Sequence, residues 1–228
     1  MVDFKEIYSS KADAYDLLVS REDYRGNIGK ALDLIQPLSG LDAVDLGAGT
    51  GRMARILSPH VRRLMVLDIS RHMLDKAIEG SEANWRFVQA NNLNLPLREK
   101  SFNLACAGWS LGHLTGWYPD SWMDLINQCL AEMRRILTPG GTIIILETLG
   151  TGNESPLPPS EALASYYRHL EDDLGFSFSW IRTDYKFKTS QEAVELTRFF
   201  FGRDFADKVA RKGSAIVPEC TGIWSAQL

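Results

Sequence analysis

The sequence has few cysteines, and none of the three stands in a spacing that suggests a bond or a ligand set. Cys106, Cys129 and Cys220 are scattered through apolar stretches, whereas zinc sites and disulfide frameworks bring cysteines into closely spaced pairs. We therefore expect buried, reduced thiols and no metal site.

The chain also lacks an excess of positive charge, because 25 Lys and Arg against 29 Asp and Glu give a formal net charge of -4. Nucleic acid binding draws much of its affinity from basic side chains that face phosphates, so this composition argues against such a partner. The sequence shows neither a basic leader followed by an apolar run nor a run long enough to cross a bilayer. It predicts a cytoplasmic protein without a membrane or nucleic acid partner.

Short apolar runs alternate with helical patterns between residues 42 and 148, which is typical of βαβ units and a parallel sheet. Two further extended segments, 176–188 and 215–226, flank a helical segment at 190–211 and fit an antiparallel edge of that sheet. We predict a doubly wound α/β fold with a seven-stranded, mostly parallel sheet and an antiparallel edge strand, in one domain over 1–228. The five runs of the parallel part are AVDL, RLMVLDI, WRFVQA, FNLACA and TIIILET.

The stretch DLGAGTGR, residues 45–52, places three glycines at alternate positions behind the first predicted strand. A glycine-rich turn between a strand and a helix presents backbone N–H groups and lets a ligand approach the main chain. Asp68 ends the second predicted strand, where its carboxylate could accept hydrogen bonds from ribose hydroxyls. The pattern predicts a nucleoside-containing cofactor, although the turn alone could serve packing and Asp68 could be only a helix cap.

Spacing and charge distinguish between the nucleoside cofactors. The dinucleotide fingerprint is G-x-G-x-x-G, but the third glycine here, Gly51, comes one residue earlier. Asp45 stands two residues before Gly47, where a carboxylate is unfavourable for a pyrophosphate and favourable for an amino group. We therefore expect a cofactor with a cationic group and not a nicotinamide dinucleotide.

With these features, VDLGAGTGR resembles the first motif of the class I methyltransferases that use S-adenosylmethionine (SAM). Asp68 in VLDIS matches the ribose-binding acid of that family, NNLNLP at 91–96 is similar to the segment that holds the adenine, and LTPGGTIII matches the segment leading into the fifth strand. Asn91 departs from the family pattern, which usually has Asp, so its amide oxygen accepts without charge assistance.

The resemblance covers about residues 30–148 and implies SAM as the cofactor and a Rossmann-like methyltransferase fold. Trp109 could lie against the adenine or fill the core, and Asn91 and Asn92 could be turn formers only. The cofactor contacts that the resemblance implies are Asp45, Gly47, Ala48, Gly49, Gly51, Asp68, Ile69, Met73, Asn91, Asn92, Leu93 and Trp109.

Methyl transfer from a sulfonium is an in-line displacement, so the protein must align a nucleophile about 3 Å from the methyl group and exclude water. No metal is required. His113 is the candidate base for a hydroxyl or amine, with a structural hydrogen-bonding role as the alternative. Residues 1–30 and about 150–175 are the expected substrate-covering segments. Their candidate substrate contacts, each of which could instead pack in the core, are Tyr8, Tyr15, Tyr166 and Tyr167.

The sequence therefore predicts a SAM-dependent methyltransferase that acts on an oxygen or nitrogen of a small molecule. The alternatives are a SAM-binding regulatory or partner-binding module without catalysis, and a nicotinamide oxidoreductase, against which the early third glycine argues. The segment after the fourth strand lacks the Asn- or Asp-Pro-Pro-aromatic run of enzymes that methylate amino groups of nucleic acid bases. It also lacks the Pro-Cys nucleophile of cytosine-5 enzymes.

Overall fold

A computed structural model describes the backbone of residues 4–228 and the side chains of residues 6–228. Helices and strands alternate through the first two thirds of the chain, as the apolar runs predict. In chain order the elements are α1 (Phe4–Ser10), α2 (Ala12–Val19), α3 (Asn27–Ile35), β1 (Asp42–Leu46), α4 (Arg52–Leu57), β2 (Arg63–Asp68), α5 (Arg71–Glu79), β3 (Trp85–Gln89), β4 (Phe102–Gly108), α6 (His113–Trp117), α7 (Trp122–Ile136), β5 (Leu137–Thr151), α8 (Glu161–Arg168) with a π-helical turn (His169–Asp173), β6 (Ser177–Arg182), β7 (Tyr185–Lys186), α9 (Ser190–Phe201), α10 (Arg203–Lys212), β8 (Ile216–Val217) and β9 (Glu219–Gln227).

Seven of the strands form one sheet in the order β3-β2-β1-β4-β5-β9-β6. The neighbours among β1 to β5 pair in parallel, whereas β9 runs antiparallel to both β5 and β6. The predicted seven-stranded, mostly parallel sheet is confirmed. One detail differs, because the antiparallel strand lies second from the edge and β6 lies outside it. The apolar pattern indicates which segments are strands, but it does not encode their order across the sheet.

The sheet is covered by hydrophobic packing on both faces, since adjacent residues of each central strand belong to different core clusters. Ala43 and Val44 illustrate this: Val44 packs in the cluster of α7, and Ala43 packs in the cluster of α3 and α4. Successive side chains of a strand point to opposite faces, so a strand that is buried on both faces reads as a continuous apolar run. This explains why TIIILET carries no polar alternation.

Helix ends follow the local sequence in most places. The hydroxyl of Ser70 accepts the N–H of Met73 and caps the start of α5, and Gly80 follows its last residue, Glu79. The helical segment predicted over 190–211 is instead two helices, because Gly202 adopts φ +87° between them. Only glycine adopts such a backbone readily, so the break permits α9 and α10 to pack against each other.

A smaller packing unit lies beyond the main sheet. The short strands β7 and β8 pair with each other, and Tyr185, Val217 and the helices α9 and α10 form a third hydrophobic cluster with Leu18 of α2. Among the helices described for residues 4–228, none is long and apolar enough to span a bilayer.

Candidate active site

The glycine turn after β1 has a backbone that requires glycine. Gly47 and Gly49 have φ values of +65° and +57°, where other residues are strained. A Cβ atom at Gly47 would lie 2.6 Å from Cβ of Ser110, so no side chain fits there. Gly51 differs in its surroundings: its added Cβ would lie 3.1 Å from Cζ3 of Trp85, and the residue does not line the cavity that borders the turn. Gly51 therefore packs against Trp85, and its predicted cofactor contact stays a prediction.

Asp68 ties this turn to the second strand. Its Oδ2 accepts the N–H of Gly49 at 2.8 Å, and its Oδ1 accepts the N–H of Ser70 at 2.7 Å. A carboxylate has about four lone-pair positions, so these two bonds leave capacity for ribose hydroxyls. Asp68 is thus both an organiser of the glycine turn and a lining residue of the cavity beside it.

Asp45, at the end of β1, is a buried carboxyl group. Among the described residues neither of its oxygens has a hydrogen-bond partner, and its relative exposure is only 1%. Burial, and then the neighbouring charge of Asp68, raises the pKa of Asp45 to about 7. An unpaired buried carboxyl is costly, so the site favours a ligand that brings a positive group to it.

The predicted adenine side is formed by the loop after β3. Asn91 is exposed, and its Oδ1 accepts the N–H of Leu93 at 3.0 Å, which is a turn-forming bond. Asn92 is half-buried, and its Oδ1 has no partner among the described residues. Both line the same cavity as Asp45 and Asp68.

A first cavity of about 380 Å³ brings most of the predicted cofactor contacts together. Trp109 lines it and also packs against the core, and its contact with the adenine stays a prediction. Its backbone has φ +51°, and the guanidinium carbon of Arg52 lies 3.2 Å from the centre of its ring. The predicted cofactor residues that line this cavity are Asp45, Gly47, Ala48, Gly49, Asp68, Ile69, Met73, Asn91, Asn92, Leu93 and Trp109.

His113 lies at the start of α6 and is bonded to the N-terminal segment. Its Nε2 is 2.9 Å from the hydroxyl oxygen of Tyr8, and its ring stacks on Trp117 at a centroid distance of 5.0 Å. Tyr15 packs edge-on against Tyr8. Desolvation lowers the pKa of His113 to about 4, so the imidazole is neutral at neutral pH.

A second cavity, of about 970 Å³, adjoins the first. It is bordered by aromatic side chains, by the loop from Gly150 to Ser160, and by the buried carboxyl groups of Glu147 and Glu219. The motifs predict neither acid, although a charged residue inside TIIILET and another directly after Pro218 in an extended segment are visible signals. Six residues line both cavities: Tyr8, Tyr15, Arg52, Trp109, His113 and Trp117.

Tyr166 and Tyr167 do not lie at the site. Both are buried in the core cluster of α7 and α8 and line neither cavity. The hydroxyl of Tyr167 donates to the backbone carbonyl of Thr148 at 2.7 Å, and its ring stacks on Trp224. The prediction that these two tyrosines contact substrate is corrected, because they lie on the face of α8 that packs on the sheet.

These features fit the cofactor that the resemblance implies. The glycine turn has no room for side chains, the unpaired carboxyl of Asp45 suits an amino group, and Asp68 and the Asn91–Asn92 pair suit the nucleoside. Comparison with known proteins agrees. A family model described as a methyltransferase domain matches residues 44–145.

Two similar curated proteins are methyltransferases from bacteria. The chain is 29% identical over 152 residues to the malonyl-[acyl-carrier protein] O-methyltransferase of Pectobacterium atrosepticum. The aligned region covers 67% of this chain and 55% of that protein. It is 28% identical over 193 residues to the demethylmenaquinone methyltransferase of Lactococcus lactis, with coverage of 80% and 71%. The chain thus spans little more than half the length of the first of these relatives.

Solved structures show the same fold. The complex of DhpI with S-adenosylhomocysteine (SAH) has a TM-score of 0.61 at 16% identity, covering 97% of this chain and 94% of that one. The [4+2]-cyclase SpnF has a TM-score of 0.55 at 17% identity, with coverage of 89% and 80%. The chain therefore matches a methyltransferase domain over residues 44–145, and it shares its fold with solved structures that include an SAH complex. The cyclase shows that this fold alone does not define the reaction.

Proposed function

We propose that the protein transfers the methyl group of SAM to an oxygen or nitrogen atom of a small molecule held in the second cavity. The observation that carries this proposal is the set of six residues that line both cavities. A molecule in the second cavity would meet the first cavity at Tyr8, His113 and Trp117. Clefts and cavities with mostly apolar, aromatic walls and a few polar groups are typical of small-molecule sites.

The cofactor supplies an electrophilic methyl group on a sulfonium. Asp45 would hold its amino group, Asp68 its ribose, and Asn91 and Asn92 its adenine. The remaining task of the chain is alignment and exclusion of water. Tyr8 and His113 form a hydrogen-bonded pair at the border of the two cavities, and the neutral imidazole is in the state that accepts a proton. With a pKa of about 4 it is a weak base, so positioning carries most of the effect.

The two covering segments stay part of this proposal. Residues 1–3 of the first segment lie outside the described residues. The rest contributes Tyr8 and Tyr15 to both cavities, and the second segment contributes Gly150 and the stretch 157–160 to the second cavity. These contacts support a role for both segments in shielding the reacting atoms from water.

Transfer to carbon is the second candidate. The Lactococcus lactis relative is named a demethylmenaquinone methyltransferase, and a relative from Hahella chejuensis is named a C-methyltransferase of ubiquinone and menaquinone biosynthesis. Transfer to oxygen or nitrogen is favoured by the few polar groups in the largely apolar second cavity. Tyr8, His113, Glu147 and Glu219 can hydrogen-bond a hydroxyl or an amine there.

The test is to incubate the protein with SAM carrying a 13C-labelled methyl group and a metabolite extract of its host cells, and to analyse products by mass spectrometry and NMR. We expect label in a small molecule, with the methyl chemical shift of an O- or N-methyl group. A C-methyl shift would select the second candidate. Label only in protein or nucleic acid would contradict the proposal, and no label with intact SAM binding would favour a non-catalytic binding module. An Asp68→Ala variant is the matched control for cofactor-independent label.

A further inference from the structure

The largely apolar lining of the second cavity contains two acidic groups. Over the described residues that border it, the carboxyl groups are Glu147 and Glu219, which are 4% and 1% exposed. Oε1 of Glu147 accepts the N–H of Gly112 at 2.8 Å, and Oε1 of Glu219 accepts the hydroxyl of Thr148 at 2.7 Å. In the described part of the chain Oε2 of Glu219 makes no hydrogen bond of normal geometry, although the nearby side chain of Thr151 lowers the pKa of this carboxyl group. An unpaired buried oxygen in a cavity wall is a position for a donor from a ligand.

The guanidinium in the same lining is paired with another acid, although its charge also lowers the pKa of Glu219. Arg52 forms an ion pair with Glu22 and stacks on the ring of Trp109. The side chain of Glu22 is 1% exposed and does not line the cavity. Because the charge of Arg52 is matched by Glu22, the two remaining carboxyl groups set the preference of the cavity for a ligand charge.

The walls around these acids are aromatic. Tyr15 and Phe200 pack together at a ring distance of 5.6 Å, Phe201 and Phe205 at 4.9 Å, and all four border the cavity. Aromatic faces attract cations through their quadrupole, and they accept apolar ligand carbon equally well. Buried carboxyl groups combined with aromatic walls match an ammonium group on an apolar body.

We propose that the methyl acceptor carries a protonated amine and that Glu219, assisted by Glu147, is its binding partner in the second cavity. This inference rests on the proposed function and narrows its substrate class. Desolvation raises the pKa of Glu147 to about 8, and desolvation followed by the charge of Glu22 raises the pKa of Glu219. A bound ammonium would favour the charged form of both carboxyl groups. In this proposal Glu219 determines substrate specificity by binding the ammonium group. The atom that receives the methyl group is a different atom of the same acceptor molecule.

The test measures binding to the protein preloaded with SAH, by calorimetry, for matched probes that differ in one group. The probes are tryptamine, tryptophol and indole-3-acetate, and the phenyl series 2-phenylethylamine, 2-phenylethanol and phenylacetate. We expect each amine to bind at least tenfold more tightly than its alcohol, and the carboxylate to bind weakest. In Glu219→Gln the amine-to-alcohol ratio should fall to about threefold or less, while the SAH affinity stays unchanged.

Two variants keep the result interpretable. Glu161→Gln, on the exposed surface of α8, should retain the wild-type ratio, since this side chain is 83% exposed and does not line the cavity. Glu219→Asp keeps the charge and should keep the amine preference if Glu219→Gln does not fold. Equal or tighter binding of the alcohols or carboxylates, an unchanged ratio in Glu219→Gln, or no binding by any probe would overturn the inference. Failure of SAH to bind would instead overturn the proposed function.

Discussion

Asp45 gives the sharpest quantitative prediction, because its ionisation should control cofactor affinity near neutral pH. With a pKa of about 7 in the free protein, about one carboxyl in eleven is ionised at pH 6 and about half at pH 7. If only the carboxylate binds the cofactor's ammonium group, the apparent Kd scales with 1/(fraction ionised). Affinity for SAH should then rise about fivefold from pH 6 to pH 7.

The variant Asp45→Asn removes the titrating group and keeps its size. We expect its SAH affinity to be nearly independent of pH in this range, and to be lower at pH 7 by about 1.5 to 3 kcal/mol, which is typical for loss of a charged hydrogen bond. The α-amino group of the ligand titrates at about 7.7 to 8.0, so it stays largely protonated up to pH 7.

Calorimetric titration with SAH at pH 6.0, 6.5 and 7.0 measures both effects. Asp204→Asn, an exposed substitution on α10, is the control and should follow the wild type. Asp68 stays in Asp45→Asn, so loss of the pH slope is attributable to Asp45. A flat wild-type profile, or the same slope in both proteins, would refute this account of the site.

Three further predictions concern the adenine contact, the imidazole and a buried acid. Asn91→Asp should keep or tighten SAH binding measured by calorimetry, because Asp can still accept the N–H of Leu93 and adds charge. A large loss of SAH affinity in a folded variant would contradict the proposed contact between residue 91 and the adenine. His113→Ala should lower turnover by about a hundredfold if the imidazole is the base. The turnover of the wild type should then fall at low pH with a midpoint near pH 4. Unaltered turnover in the variant would mean that positioning alone explains catalysis. Glu147→Gln should gain stability over the wild type by about 1.4 kcal/mol per pH unit between pH 5.5 and 7.5 in urea unfolding. The sign follows because the folded protein holds the Glu147 proton up to about pH 8, so wild-type stability is lost as pH rises towards that value; parallel unfolding curves would contradict it.

The sequence predicts best those parts of the site that depend on near neighbours. The strand, the glycine turn and Asp68 follow from residue types within one βαβ unit, where spacing alone places the groups at one end of the sheet. Ser70 could be recognised as a cap for the same reason, since its hydroxyl serves an N–H only three residues away. Asn91 and Asn92 follow from the motif resemblance.

Contacts between distant segments could not be predicted. Tyr8 and His113 are 105 residues apart, and their hydrogen bond depends on how α1 lies over the sheet. The prediction that Tyr166 and Tyr167 contact substrate was wrong, because helical periodicity identifies one face of a helix. It does not tell whether that face packs on the sheet or lines a cavity. The burial of Glu147 and Glu219 could not be predicted, because the burial of a charged residue in an apolar strand depends on neighbours that are distant in the sequence.

The position of β9 also has a consequence for the time course of folding during translation. Among the described strands, β6 pairs only with β9, and β9 also covers the side of β5 that faces away from β4. The ribosome must therefore add about 45 residues after Arg182 before β6 has a partner, which takes roughly 2 to 9 s at about 5–20 residues per second. Throughout that interval Ile143 to Leu146 present an open strand edge, a template for pairing with another chain. Translational pausing between β6 and β9 would lengthen this exposure, so the yield of folded protein should fall when rare codons are placed there.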